Sequence, residues 1–252
     1  MSFSVKLGHF LYKHAFAIYK PLYTGFKNRQ DAFEIRLLQQ HIRPGDVVLD
    51  IGANIGYYAL ILSRLVGKRG RVHCFEPDLQ NFRHLDDATS AIGNVFINNK
   101  AVGSRTESLK IYTSNTLNVD HRTYKPDVYD RELEIQAVSI DDYVQKHITE
   151  EGGRVDFIKM DIQGFEMEAV RGMQELLKQN ADIKLISEFW PYGLRKAGHS
   201  ALEYFRFLSD LGFHCYLLEK DTLKKLDEEL VGSLEGLEEK HYFNIFASRT
   251  DV

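Results

Sequence analysis

From residue 47 onward the chain alternates short apolar runs with amphipathic ones, and that alternation leaves few folds open to it. Val47–Ile51, Arg71–Phe75 and Val95–Asn98 read as buried strands, and residues 55–66 and 78–92 between them carry helical spacing. Repeated strand–helix–strand units predict a parallel sheet with right-handed crossovers. Further strands are read at 108–112, 133–138, 155–160, 183–187, 213–218 and 242–247. Helices are read at 140–147, 166–179 and 202–211, and across the charged stretch 220–240. The expected fold is α/β: a doubly wound, mostly parallel seven-stranded sheet whose last strand runs antiparallel. One domain, residues 45–252, carries this pattern. Residues 1–44 form an N-terminal helical extension, helical over 3–20 until Pro21 stops the pattern, and again over 31–42.

Charge and cysteine content narrow the possible partners. Acidic residues outnumber basic ones by 36 to 32, for a formal charge of −4. Gripping a nucleic-acid backbone needs a concentrated positive field, so this balance argues against a nucleic-acid partner. Cys74 and Cys215 each lie in an apolar strand-like run and match no zinc spacing. They suit a reducing, cytoplasmic setting. No apolar run approaches the ~20 residues that a bilayer span needs. Lys6, His9, Lys13 and His14 interrupt the first helix where a signal peptide would be apolar. Lys6, Lys13 and Lys20 recur on one face of that helix. It is expected to pack on the body of the protein as a lid or as a contact in a homo-oligomer. A membrane surface is the alternative for such a basic amphipathic helix.

The segment Val47-Val48-Leu49-Asp50-Ile51-Gly52-Ala53-Asn54-Ile55-Gly56-Tyr57 takes a buried strand through a glycine turn directly into a helix. Ligands of doubly wound sheets bind at such strand ends. Gly52 lets the backbone approach a ligand, Asn54 tolerates a left-handed conformation, and Gly56 allows close packing of helix on strand. With Ala53, these residues are the candidate cofactor turn, and the free N–H groups at the helix start favour a carboxylate or phosphate. Glu76, at the tip of the next strand and stopped there by Pro77, is placed to accept hydrogen bonds from both hydroxyls of a ribose. A nicotinamide dinucleotide usually requires G-x-G-x-x-G, because its pyrophosphate needs the middle glycine. Here the pattern is Gly52-x-x-x-Gly56 preceded by Asp50, which better fits a nucleoside with an amino-acid tail. Asp50 then orients that tail's ammonium group.

These residues, together with Asn99-Lys100-Ala101-Val102-Gly103 and Ile158-Lys159-Met160-Asp161-Ile162-Gln163-Gly164-Phe165-Glu166, resemble the FkbM-type methyltransferases across roughly residues 45–190. Members often carry an acid where this chain has Gln163. The resemblance implies a class I, Rossmann-like methyltransferase fold. It also implies transfer of a methyl group from S-adenosylmethionine, usually to a hydroxyl oxygen of a sugar or other small metabolite. Two rival functions are a non-catalytic protein that binds S-adenosylmethionine and a nicotinamide-dependent oxidoreductase.

Methyl transfer is largely positioning, but an alcohol is a weak nucleophile and benefits from a base. Asp161, at the end of the fourth parallel strand, is the first candidate, with cofactor or backbone binding as its other possible role. Glu166, in the first turn of the next helix, is a second candidate; its alternative is helix capping. His121 is a third, within a polar stretch 113–131 read either as a cover over the acceptor, where Arg122 would hold an anionic group, or as a solvated loop. Asn99 is a candidate adenine contact. No metal is assigned, although Asp161 and Glu188 on neighbouring strand tips are the pair that would hold Mg²⁺. Trp190 and Tyr192 are candidate walls of the acceptor pocket.

Overall fold

A computed structural model describes residues 3–113, 121–122 and 131–251. In chain order, helices α1 (Phe3–His14), α2 (Phe16–Gln30) and α3 (Ala32–His41) precede strand β1 (Val47–Ile51), α4 (Tyr57–Val66), β2 (Arg71–Phe75), α5 (Leu79–Thr89) and β3 (Val95–Asn98). Then follow β4 (Ala101–Val102), β5 (Glu107–Thr113), β6 (His121–Arg122), β7 (Arg131–Val138), α6 (Ile140–His147) and β8 (Phe157–Met160). The chain continues through α7 (Glu166–Arg171), α8 (Gln174–Gln179), β9 (Lys184–Phe189), α9 (Pro191–Lys196) and α10 (Ala201–Asp210). It closes with β10 (His214–Glu219), β11 (Thr222–Lys225), α11 (Glu228–Leu234) and β12 (Phe243–Ser248).

The main sheet has the order β11-β10-β12-β9-β8-β1-β2-β3. Its central pairs β9–β8, β8–β1, β1–β2 and β2–β3 are parallel, and β12 runs antiparallel between β9 and β10. The expected α/β class and the antiparallel last strand therefore hold. The eighth strand, β11, comes from the stretch 220–240 read as helical. Lys220 adopts φ 47° there, turning the chain so that 222–225 pair back on β10. The helix read at 166–179 is two helices, broken at Gly172-Met173. Its break lets Gly172 lie directly against the Gly103 carbonyl, a place with no room for a Cβ. The strands read near 108–112 and 133–138 pair with each other, in a separate sheet of order β4-β7-β5-β6.

Period-two alternation sends successive side chains of each strand to opposite faces. Leu49, Ile51, Phe75, Ile158, Met160 and Leu185 join one core with α6, α7 and α10. Val48, Val72, Cys74, Phe157 and Ile186 join the other with Leu37 and Leu38 of α3 and Ala59 and Leu62 of α4. Pro21 does not end the first helical region as expected. It lies inside α2, whose preceding break falls at Ala15. Proline there removes a single backbone donor. Packing carries the helix past it: Tyr12 and Tyr19 are buried with Ile55, and Phe16 stacks on His84 at 3.5 Å. The Tyr57 hydroxyl also reaches Asn28 Oδ1 at 2.7 Å.

Candidate active site

Strands β1, β2 and β8 end level, and β9 continues to Phe189 past the same line. Ile51 is in register with Phe75 and with Met160, and Met160 with Ser187. The next residue of each strand is therefore Gly52, Glu76, Asp161 and Glu188, all at one edge of the sheet. They line a cleft of about 490 Å³, a volume in the range of small-molecule sites.

The turn after β1 takes the shape its sequence demands. Gly52 has φ +84°, Asn54 φ 50° and Gly56 φ +87°. A Cβ on Gly52 would lie 1.9 Å from the Asp161 carbonyl oxygen, so only glycine lets β1 and β8 close here. Gly52 and Ala53 N–H donate to the Phe75 carbonyl at 2.9 and 3.0 Å, which clamps the turn to β2. Glu76 completes the clamp. Its Oε2 accepts from Asn54 N–H and its Oε1 from Asp78 N–H, both at 2.9 Å. Burial pushes this carboxyl up to about 8, although the Asp78 and Asn54 N–H groups pull the other way.

Asp50 and Lys159 are in-register neighbours on β1 and β8, and both line the cleft. Asp50 is buried, its Oδ2 has no hydrogen-bond partner, and burial raises it to about 7. Lys159 was not singled out from the sequence. Its ammonium lies 3.4 Å from Glu34 Oε1 on α3 and 4.8 Å from the Tyr58 ring centre. Burial pulls the ammonium down, but Glu34 and Asp161 more than offset this and hold it above its ordinary value. The signal was present: a lysine inside an otherwise apolar strand demands a buried partner.

Gln163 joins Asp161 to Glu188. Its Nε2 donates to Asp161 Oδ1 at 3.0 Å and to Glu188 Oε1 at 3.1 Å. The backbone turns through φ 56° at Gln163, aiming the amide into this gap. Glu188 is buried and lifted well above the carboxylate range, first by burial and then by Asp161. Among the described residues no group of three or more His, Cys, Asp or Glu side chains is placed to hold a metal ion.

Further lining comes from α2 and the Asp31 that follows it, outside the strand–helix repeat. Tyr23, Phe26, Lys27, Gln30 and Asp31 line the cleft, as do Trp190, Tyr242 and Asn244 from the last third of the chain. Lys27 pairs with Asp31, which also accepts from the Tyr58 hydroxyl at 2.7 Å. Burial pulls Lys27 down; Asp31, Asp161 and Glu34 more than reverse this and raise it.

The other candidates divide. Asp50, Gly52, Ala53, Asn54, Glu76 and Asp161 line the cleft, as does Trp190. Gly56 lies behind it, against Leu85 and Ala88. Glu166 is buried behind the strand tips, with Oε1 accepting from Ile162 N–H at 3.1 Å, and burial lifts it to about 7. It is not among the residues that line the cleft. Asn99 donates to the Glu76 and Pro77 carbonyls and holds the acidic loop in place instead of facing the cleft. Asn81 faces it, held by Tyr12, whose hydroxyl donates to its Oδ1 at 2.6 Å. Tyr192 lies on a separate shallow depression. The backbone of His121 and Arg122 pairs with β5, but their side chains lie outside the described residues, as does most of the stretch 113–131.

A family model described as the methyltransferase FkbM domain matches residues 50–215. The hexuronic acid methyltransferase AglP of Haloferax volcanii is 28% identical over 145 residues, 57% of this chain and 56% of that protein. The match thus spans little more than half of that relative. Among solved structures, the precorrin-6y C5,15-methyltransferase of Geobacter metallireducens superposes with a TM-score of 0.50 at 11% identity, covering 88% of this chain and 89% of that one. Aeropyrum pernix fibrillarin, solved with S-adenosylmethionine, gives 0.48 at 13% identity, covering 85% and 73%. At 11% identity the superposition on the precorrin-6y methyltransferase speaks to the fold alone.

Proposed function

The chain belongs to the FkbM methyltransferase family and takes its methyl group from S-adenosylmethionine, and we propose that it delivers that group to a hydroxyl oxygen of a saccharide. The cleft fits the cofactor on its own features. Glu76 is a buried carboxylate at the place a ribose would occupy, and Asp50 Oδ2 is an orphaned buried acceptor suited to an ammonium group. The Gly52–Gly56 turn and Asn81 supply the rest of that half. When bound, S-adenosylmethionine supplies an electrophilic methyl group carried on a sulfonium.

The observation that carries the reading is Asp161, a carboxylate in the cleft at the Gly52 turn, with Oδ1 fixed by the Gln163 amide. Asp161 accepts the proton that the acceptor hydroxyl sheds. Glu188, pushed upward first by burial and then by Asp161, stands beside Asp161 as its neighbour across the amide. Gln163 orients both. The acceptor half is lined by Tyr23, Phe26, Lys27, Gln30, Trp190, Tyr242 and Asn244: flat aromatic faces mixed with amide, hydroxyl and ammonium donors, a composition suited to a sugar. Lys27 would meet a uronic acid's carboxylate, the chemistry named for the Haloferax relative. In this reading residues 1–44 wall the acceptor half of a catalytic domain spanning 45–252. The free, buried Cys74 and Cys215 suit a cytoplasmic setting.

Comparing Asp161→Asn with the parent protein tests the assignment. Turnover on a saccharide acceptor should fall ~10²–10⁴-fold, the usual worth of a general base, with S-adenosylhomocysteine affinity kept within a few-fold. Unchanged turnover would remove Asp161 from the chemistry.

A further inference from the structure

The first helical region has two apolar faces, and the body of the protein uses only one. Leu11, Tyr12, Phe16, Tyr19 and Tyr23 pack inward against Ile55. Phe10, Ile18, Leu22 and Phe26 point away and are each 56–63% exposed, and Leu7 is exposed beside them. Ile18, Leu22 and Phe26 stand four residues apart, one line along α2. Five of the eight large exposed hydrophobics among the described residues belong to α1 and α2.

Charge identifies what fits this face. The first thirty residues contain five Lys or Arg and no Asp or Glu, within a chain whose formal charge is −4. Lys13 and Arg29 are exposed and Lys20 half-exposed. Lys13 follows Phe10 and Arg29 follows Phe26 by three residues, so cations neighbour the exposed apolar residues, and with no acid in the first thirty residues this matches an anionic lipid surface. A two-fold pairing of identical copies would instead bring these cations together.

From this juxtaposition we infer that α1 and α2 seat the protein on an anionic lipid surface, with the cleft opening beside it. Phe26 is both the last residue of the apolar line and part of the cleft wall. Tyr242, exposed at the same mouth, accepts a hydrogen bond from Gln30 at 3.1 Å. A bilayer on this face therefore borders the entrance, where an acceptor held at the lipid surface would reach Asp161.

Co-sedimentation of the full chain with phosphatidylglycerol vesicles, against phosphatidylcholine vesicles, reads this directly. Binding is expected on the anionic vesicles and at least tenfold weaker on the neutral ones, and it should weaken with salt. Ile18→Ser/Leu22→Ser should abolish it. Lys13→Gln/Arg29→Gln should weaken it roughly twenty- to thirtyfold, at about fivefold per cation. Both variants should keep the parent's melting temperature and S-adenosylhomocysteine affinity. No binding to anionic vesicles, binding indifferent to both variants, or a solution dimer that Ile18→Ser/Leu22→Ser dissociates in place of lipid binding would overturn the inference.

Discussion

Asp50 and Lys159 stand side by side on adjacent parallel strands, an acid and a base sunk into the floor of the cleft. Lys159 is also the ion-pair partner of Glu34 on α3, so one ammonium serves two buried carboxylates from distant parts of the chain. This links the helices before β1 to the cleft.

Replacing Lys159 by Met should therefore destabilise the protein by about 3–5 kcal/mol, because Glu34 and Asp50 lose their shared counter-charge. Adding Glu34→Gln should restore part of the loss. Urea denaturation of the two variants checks this; a single variant as stable as the parent contradicts it.

Glu76 makes a pH prediction. Its folded value of about 8 lies above the ordinary 4.5, so the native state holds a proton that the unfolded chain releases. Its contribution is complete below pH ~4.5 and is lost as pH rises toward 8. Asp50 and Glu166, both raised to about 7, act in the same direction. Stability should fall between pH 5 and 8.5, less steeply in Glu76→Gln. Ribose hydroxyls donate to the ionised form, so S-adenosylhomocysteine binding at pH 7 should release a proton. Calorimetry in buffers of different ionisation enthalpy measures that release. It should shrink in Glu76→Gln, leaving the share that Asp50, raised to about 7, releases on meeting the ammonium group, with affinity down roughly 10- to 100-fold.

Gly52→Ala should cost at least ~2 kcal/mol in stability, since the added methyl meets the Asp161 carbonyl and the φ of +84° disfavours a side chain. Cofactor affinity should fall with it. Thermal melts and a binding titration on the same sample check both.

Gln163→Ala should leave S-adenosylhomocysteine binding nearly intact and lower turnover, because it frees Asp161 and Glu188 from their shared amide. Gln163→Glu puts a third carboxyl between them. It should lower the melting temperature at pH 8, and Mg²⁺ should recover part of the loss. A Gln163→Ala variant with the parent's turnover would show that the bridge does not orient Asp161.

The strand tips were legible in the chain because their chemistry is local. A buried run, Gly52, Asn54, Gly56 and then Glu76 before Pro77 specify a turn and an acid at one sheet edge without reference to anything remote. Lys27, Tyr242 and Asn244 were not, since only tertiary packing brings them to the cleft from both ends of the chain, as it brings Glu34 to Lys159. Lys159 was readable in principle as a charge within Phe157–Met160, but the location of its partner was not. Pro21 misled for a physical reason: its local cost to a helix is real, yet Tyr12, Phe16 and Tyr19 more than offset it by packing on the body. Residues 222–225 carry charges typical of a helix surface, and an edge strand tolerates them equally well.

The most direct measurement is transfer of ¹³C-methyl from S-adenosylmethionine to a panel of neutral and uronic-acid saccharides, with the product located by NMR. The expected product is a methyl ether on a ring hydroxyl, absent with Asp161→Asn. A methyl ester on the carboxylate, or tight S-adenosylhomocysteine binding with no transfer to any saccharide, would contradict the proposed reaction.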